Sequence, residues 1–233
     1  MSAKTLWSVL SKGAENYAQK KAVIIPKGVT VTYTELLEKV QQVRDQILSY
    51  GNLSPQDSIA IVAPNGYPFV VTFFATVSSR FKVAPLNQAY GVDEFVFYLK
   101  DTNTKAILIV SEWVEHNARV AAKQENIPIW EITTENTNIS IKFPDEIERR
   151  NFDSEENLPK EDDVALFLHT SGTTSKPKGV PLTHLNIFTS IDNIATWYKL
   201  SPSDTTLVVM PLFHVHGLIG LLFLFSPQTV VWN

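Results

Sequence analysis

Apolar residues recur at helical spacing from the start of the chain. Leu6, Val9, Leu10 and Tyr17 share one face of a helix predicted over Thr5–Tyr17. Val23–Ile25 and Val29–Tyr33 read as strands joined by a turn at Pro26-Lys27-Gly28. Thr34 is placed to cap a helix through Tyr50, with Leu36, Leu37, Val40, Val43 and Ile47 inward and Gly51 as its stop. Ser58–Ala63 is a continuous apolar run ending at Pro64-Asn65-Gly66, the pattern of a buried strand and a turn. Tyr67–Phe81 is apolar on nearly every side, as a fully buried helix is.

The alternation continues with a strand over Val83–Leu86, a helix over Asp93–Lys100 and a strand over Ala106–Val110. A helix over Glu112–Gln124, capped by Ser111, and a strand over Ile127–Ile132 follow. Strands alternating with helices predict an α/β fold, with parallel pairing and right-handed crossovers that put helices on both faces of the sheet. Thr133–Asp163 breaks the pattern. From Asp145 to Asp163, nine acidic residues stand against three basic ones (Arg149, Arg150 and Lys160), the composition of a solvated linker. The chain thus divides into an α/β region over 1–133, an acidic linker over 134–163 and a second region over 164–233. That second region opens on a strand, Val164–Leu168.

Composition narrows the chemistry. The 233 residues are 44% hydrophobic and 19% charged, as in a soluble globular protein. A net charge of -4 gives no global attraction to nucleic acid or to an anionic membrane, so an anion site must be a local basic feature. Absence of cysteine excludes a disulfide, a thiolate metal site and a cysteine nucleophile. The N-terminus lacks the apolar core of a secretory signal. The longest apolar stretch, Gly217–Phe225, is too short to span a bilayer. An intracellular location, cytoplasmic or peroxisomal, is the expectation, although Val230-Val231-Trp232-Asn233 is not a peroxisomal Ser-Lys-Leu address.

One loop stands out. After the Val164–Leu168 strand runs Thr170-Ser171-Gly172-Thr173-Thr174-Ser175-Lys176-Pro177-Lys178-Gly179, then Val180-Pro181-Leu182. Thr183 next caps a helix with Leu185, Phe188, Ile191 and Tyr198 on its apolar side. Hydroxyls and free backbone N–H groups can surround a polyphosphate, glycines permit close backbone approach, and lysines supply point charges. The spacing is not that of a Walker A loop, because Lys178 precedes the second glycine. On composition alone a surface turn fits as well as a phosphate cradle.

The full string resembles the phosphate-binding loop of the adenylate-forming superfamily, Thr-Ser-Gly-Ser/Thr-Thr-Gly-x-Pro-Lys-Gly, departing from it only at Ser175. Met210-Pro211-Leu212-Phe213-His214-Val215-His216-Gly217-Leu218 resembles the superfamily's next core segment, and Val83–Asn87 with Glu94–Asp101 resembles a segment preceding the loop. The latter reads as scaffold. His169, Ser175 and Val215-His216 look similar to the oxalate–CoA ligase group of plants and fungi.

The resemblance implies the partial N-terminal domain of the adenylate-forming fold, with mostly parallel sheets and helices on both faces. It also implies an AMP-forming acid–CoA ligase that takes a small carboxylic acid, ATP with Mg²⁺, and coenzyme A. By this likeness Lys178 carries phosphate charge, and Thr170, Ser171, Thr173 and Thr174 donate to phosphate. Gly172 and Gly179 shape the backbone, while Ser175 and the variable Lys176 complete the loop. His214 takes the catalytic position near the acyl pocket, donating to a carboxylate or gating the pocket with its ring. His216 is a second donor to the acid.

The family's later segments, which reach adenine, ribose and Mg²⁺ and supply the lysine that assists adenylation, do not follow Leu222. An N-terminal piece of a longer enzyme is therefore expected, with the Gly217–Phe225 helix stripped of packing partners. Two other functions stay open on the sequence: a non-catalytic nucleotide-binding module, and an aryl–CoA ligase or peptide-synthetase adenylation domain.

Overall fold

The computed structural model describes residues 4–26, 28–50, 53–170, 177–222 and 229–232. In chain order the elements begin with α1 (Leu6–Asn16), β1 (Lys21–Ile24), β2 (Thr30–Thr32), α2 (Tyr33–Tyr50), β3 (Ser58–Val62) and α3 (Tyr67–Ser78). Next come β4 (Lys82–Pro85), α4 (Val92–Asp101), β5 (Thr104–Val110), α5 (Asn117–Gln124), β6 (Ile129–Glu135) and β7 (Asn138–Lys142). The last are β8 (Val164–His169), β9 (Gly179–Thr183), α6 (His184–Tyr198), β10 (Thr205–Val208), α7 (Val215–Leu222) and β11 (Thr229–Trp232).

Seven strands form the main sheet in the order β7-β6-β5-β3-β4-β8-β9. Its five inner strands pair in parallel, and the edge strands β7 and β9 are antiparallel to their neighbours. A second sheet runs β10-β11-β1-β2, antiparallel only between β1 and β2.

The continuous apolar run of β3 is explained by burial on both faces. Ile59 and Ile61 enter one core with α2 and α3, whereas Ala60 and Val62 enter another with α4 and α5. In β5, Ala106 and Leu108 join the first core, and Ile107 and Ile109 the second. Helices therefore cover both faces. α3 is buried along its whole length, and Phe73 packs on Phe69 and Phe74 at 6.0 and 5.4 Å. Burying each such ring contributes about 1.5–3 kcal/mol. Three hydroxyls of this segment bond back to the helix itself. The Thr72, Thr76 and Ser79 hydroxyls donate to the carbonyls of Pro68, Thr72 and Ala75 at 2.7, 2.7 and 2.8 Å.

Several boundaries differ from the sequence expectation. α2 begins at Tyr33 and not after Thr34, because the Glu35 carboxylate accepts from the Thr32 N–H at 2.7 Å. α5 begins at Asn117, not Glu112. Its cap is His116, whose Nδ1 accepts from the Ala118 N–H at 3.1 Å. Upstream, the Arg119 guanidinium donates to the Trp113 carbonyl at 2.7 Å, which pulls residues 111–115 out of helical register. The acidic span includes β7, whose Ile139 and Ile141 are buried between Asn138, Ser140 and Lys142. Beyond β7 this span is tied down by arginines. Arg150 donates to the Leu48 and Leu53 carbonyls at 2.9 and 3.1 Å, and Arg44 donates to the Ser154 carbonyl at 2.6 Å.

Candidate active site

β4 leaves the sheet through α4 toward β5, on the far side of β3, while β8 leaves toward β9 at the opposite edge. Neighbouring strands whose connections diverge in this way open a crevice at their carboxyl ends. A cavity of about 200 Å³ lies there. Pro85, Leu86 and Asn87 reach it from the end of β4, Leu168, His169 and Thr170 from the end of β8, Phe213 and His214 from the loop before α7, and Val215 from the start of that helix. The β4 end, read from sequence as scaffold, is thus a wall of the site.

Tyr90 and Tyr98 stack at 4.8 Å against the same cavity. Burial, and then the hydrogen bond with Tyr98, pushes the Tyr90 phenol above its usual range, so it stays neutral. His169 meets the Tyr98 ring edge-on at 4.7 Å, and its Nε2 lies 2.8 Å from Asp101 Oδ2.

The residues on either side of the phosphate-loop motif pair as a β-hairpin. β8 and β9 pair antiparallel, with Leu166 opposite Leu182, Phe167 opposite Pro181, Leu168 opposite Val180 and His169 opposite Gly179. Pro181 has no N–H to give a ladder, and an edge strand is where a sheet tolerates it. At the neck the Thr170 N–H donates to the Lys178 carbonyl at 3.0 Å, and the Lys178 N–H meets the Thr170 hydroxyl at 3.4 Å. The Thr170 and Lys178 side chains are exposed at this neck. Gly179 is required by close approach: a Cβ there would meet the Phe167 ring at 2.5 Å. Ser171, Gly172, Thr173, Thr174, Ser175 and Lys176 lie outside the described residues.

Asn65, in the turn after β3, fixes the second motif. Its Nδ2 donates to the Met210 carbonyl at 3.0 Å, and its Oδ1 accepts from the Leu212 N–H at 2.8 Å. Gly217 packs directly on the Pro211 carbonyl, leaving no room for a Cβ. These contacts present His214 and His216 on one side, both exposed, with rings parallel to within 7° and centroids 5.9 Å apart. His214 lines the cavity and His216 stands behind it.

Downstream of the hairpin, Thr183 caps α6 as expected, accepting from the Asn186 N–H at 3.1 Å. The buried side of α6 is His184, Ile187 and Ile191, and Tyr198 is 70% exposed rather than inward.

Sequence reasoning missed Asp101, Asn65 and the tyrosine pair. An Asn in a turn at the carboxyl end of a buried strand was the one signal for Asn65. Asp101 and the tyrosines become recognisable only when α4 is folded against β8.

This arrangement is shared with solved structures of MatB and of the o-succinylbenzoate coenzyme A synthetase MenE. ATP-bound MatB from Rhodopseudomonas palustris has the same fold over 100% of this chain and 45% of its own, with a TM-score of 0.80 at 21% identity. The chain matches the AMP-binding enzyme family over residues 10–232 and belongs to it. Its relatives include the oxalate–CoA ligase of Arabidopsis thaliana, 37% identical over 227 residues, covering 94% of this chain and 43% of the relative. The oxalate–CoA ligase of Saccharomyces cerevisiae is 38% identical over 228 residues, covering 86% and 42%. The chain spans about two-fifths of the length of these relatives. No helix among the described residues is long and apolar enough to cross a membrane.

Proposed function

We propose that this chain is the nucleotide- and acid-binding part of an AMP-forming acid–CoA ligase acting on a small acid, oxalate first among them. The observation that carries this reading is a convergence. Thr170, from the loop motif, and His214, from the second motif, line one cavity at the carboxyl ends of the sheet. Kinship with two oxalate–CoA ligases supports the choice of acid.

In such a reaction the acid's carboxylate attacks the α-phosphate of ATP, pyrophosphate leaves, and the thiol of coenzyme A then displaces AMP. Lys178 and the Thr170 hydroxyl are proposed to face the leaving phosphates as these gain charge. A fixed cation there stabilises the transition state more than the ground state. Ser171, Gly172, Thr173, Thr174, Ser175 and Lys176 are proposed to complete the phosphate contacts. His214 and His216 are proposed to donate hydrogen bonds to the acid, two rings on one side suiting a doubly charged one. Mg²⁺ would arrive with the nucleotide's phosphates.

The test is a panel of acids given to the protein expressed from its complete coding sequence, with ATP and coenzyme A, and thioesters read by mass spectrometry. Oxalyl-CoA as the main product is expected. An aromatic thioester would reassign the acid class, and ATP binding with no thioester would leave a nucleotide-binding module.

A further inference from the structure

Asp101 is the last residue of α4, where the carbonyl end of the helix dipole disfavours a carboxylate. Neighbouring Lys100 does not relieve it, because its ammonium is engaged with Glu125 at 3.0 Å. The partner of Asp101 is His169, at 2.8 Å. The His169 side chain is only 8% exposed, against 40% for Asp101. Its ring is boxed by Tyr98 at 4.7 Å, Phe167 at 5.5 Å and Phe97 at 6.4 Å. A ring held this way has one orientation, and the carboxylate sets it.

The same carboxylate also lies beside the other leg of the hairpin. A Cβ on Gly179 would lie 3.3 Å from Asp101 Oδ2, and Gly179 is the residue opposite His169 in the ladder. One side chain from α4 therefore bonds one leg of the β8–β9 hairpin and occupies the space beside the other, at the residues next to its Thr170–Lys178 neck.

We infer that Asp101 and His169 form a positioning pair that holds the hairpin neck, and through it Thr170 and Lys178, in the geometry that binds ATP. This rests on the reading of the loop as a polyphosphate site. Asp101 lies outside the cavity lining and acts through His169, which reaches the cavity. The pair tunes nucleotide affinity and leaves recognition of the acid to the second motif.

The test uses the protein expressed from its complete coding sequence. Asp101→Ala is expected to raise the KM for ATP about tenfold, the size of a lost charge-assisted hydrogen bond, with the KM for the acid unchanged. Asp101→Asn keeps an acceptor for the imidazole and should recover most of the loss. His169→Phe fills the aromatic box without the hydrogen bond and should match Asp101→Ala, and the double variant should be no worse than either single one. Hydrogen exchange at the Thr170 amide, paired across the neck, should quicken in Asp101→Ala without nucleotide. Calorimetry with ATP separates the two layers of the argument. A wild-type protein that binds no ATP overturns the loop reading and this inference with it. Wild-type binding with equal affinity in Asp101→Ala, or equal losses for ATP and the acid, overturns the positioning role alone.

Discussion

Lys178 is exposed at the neck of the hairpin while its backbone is held by Thr170. A cation carried on a fixed backbone is suited to meet charge that develops during reaction. Lys178→Ala is expected to slow adenylation on the order of 10²-fold, as when one transition-state donor is lost, and steady-state rates under saturating acid check this. An unchanged rate would remove Lys178 from the chemistry. The two glycines of the motifs are needed for space. In Gly179→Ala the new Cβ meets a ring 2.5 Å away that has some freedom to shift. In Gly217→Ala it meets the Pro211 carbonyl, which is backbone and tied to its neighbours by Asn65. Overpacking of this kind costs about 1–3 kcal/mol, and Gly217→Ala should fall at the upper end. Denaturant titration of both variants would expose an error if Gly179→Ala proved the more damaging.

Between α1 and α6 a buried histidine makes the joint. His184 Nδ1 accepts from the Leu6 N–H at 3.2 Å, and its backbone N–H donates to the Asp163 carbonyl at 3.1 Å. Burial, only partly opposed by Asp163, lowers the His184 pKa from 6.5 to about 4. The folded state therefore holds this ring neutral at pH values where the unfolded chain protonates it. Stability is full above pH 6.5 and falls on acidification toward pH 4, by about 3 kcal/mol in all. Burial raises the Asp163 carboxyl, but hydrogen bonds from Arg80 and the Lys160 N–H outweigh this and hold it below its ordinary value. Its loss of stability thus comes at lower pH and in the same direction. Denaturant midpoints between pH 7 and pH 4 check this, and a flat profile would mean that the ring is solvated.

At this scale the sequence was legible wherever one period dominated. The continuous apolar run of β3, the all-round apolar α3 and the Thr183 cap each state their element locally. β9 was hidden by Pro181, which reads as a breaker until the strand is known to lie at an edge. β7 was hidden by its acidic surroundings, although Ile139 and Ile141 alternate at period two. The start of α5 depended on Arg119 reaching back to the Trp113 carbonyl, a contact no local pattern announces. The loop and the His214 segment were legible as strings, but their meeting in one cavity comes from the order of the strands.

Over the whole molecule, apolar exposure is uneven. α7 was expected to lack partners, yet Gly217, Leu218, Leu221 and Leu222 are buried, with Gly220 packed on Val208. Among the described residues, exposed apolar side chains elsewhere include Trp197 at 82%, Tyr198 at 70%, Val209 at 63% and Leu207 at 58%. Exposed apolar surface favours association. The 233-residue chain is expected to self-associate and bind an apolar dye, and light scattering from a monodisperse monomer would contradict that.

The central claim is that the β8–β9 hairpin handles the phosphates of ATP while the His214 segment handles an acid. Acid-dependent exchange of labelled pyrophosphate into ATP tests it most directly, on the protein expressed from its complete coding sequence. The account predicts exchange that requires a small acid such as oxalate and falls on the order of 10²-fold in Lys178→Ala. Exchange that ignores the acid, or persists undiminished without the Lys178 ammonium, would contradict it.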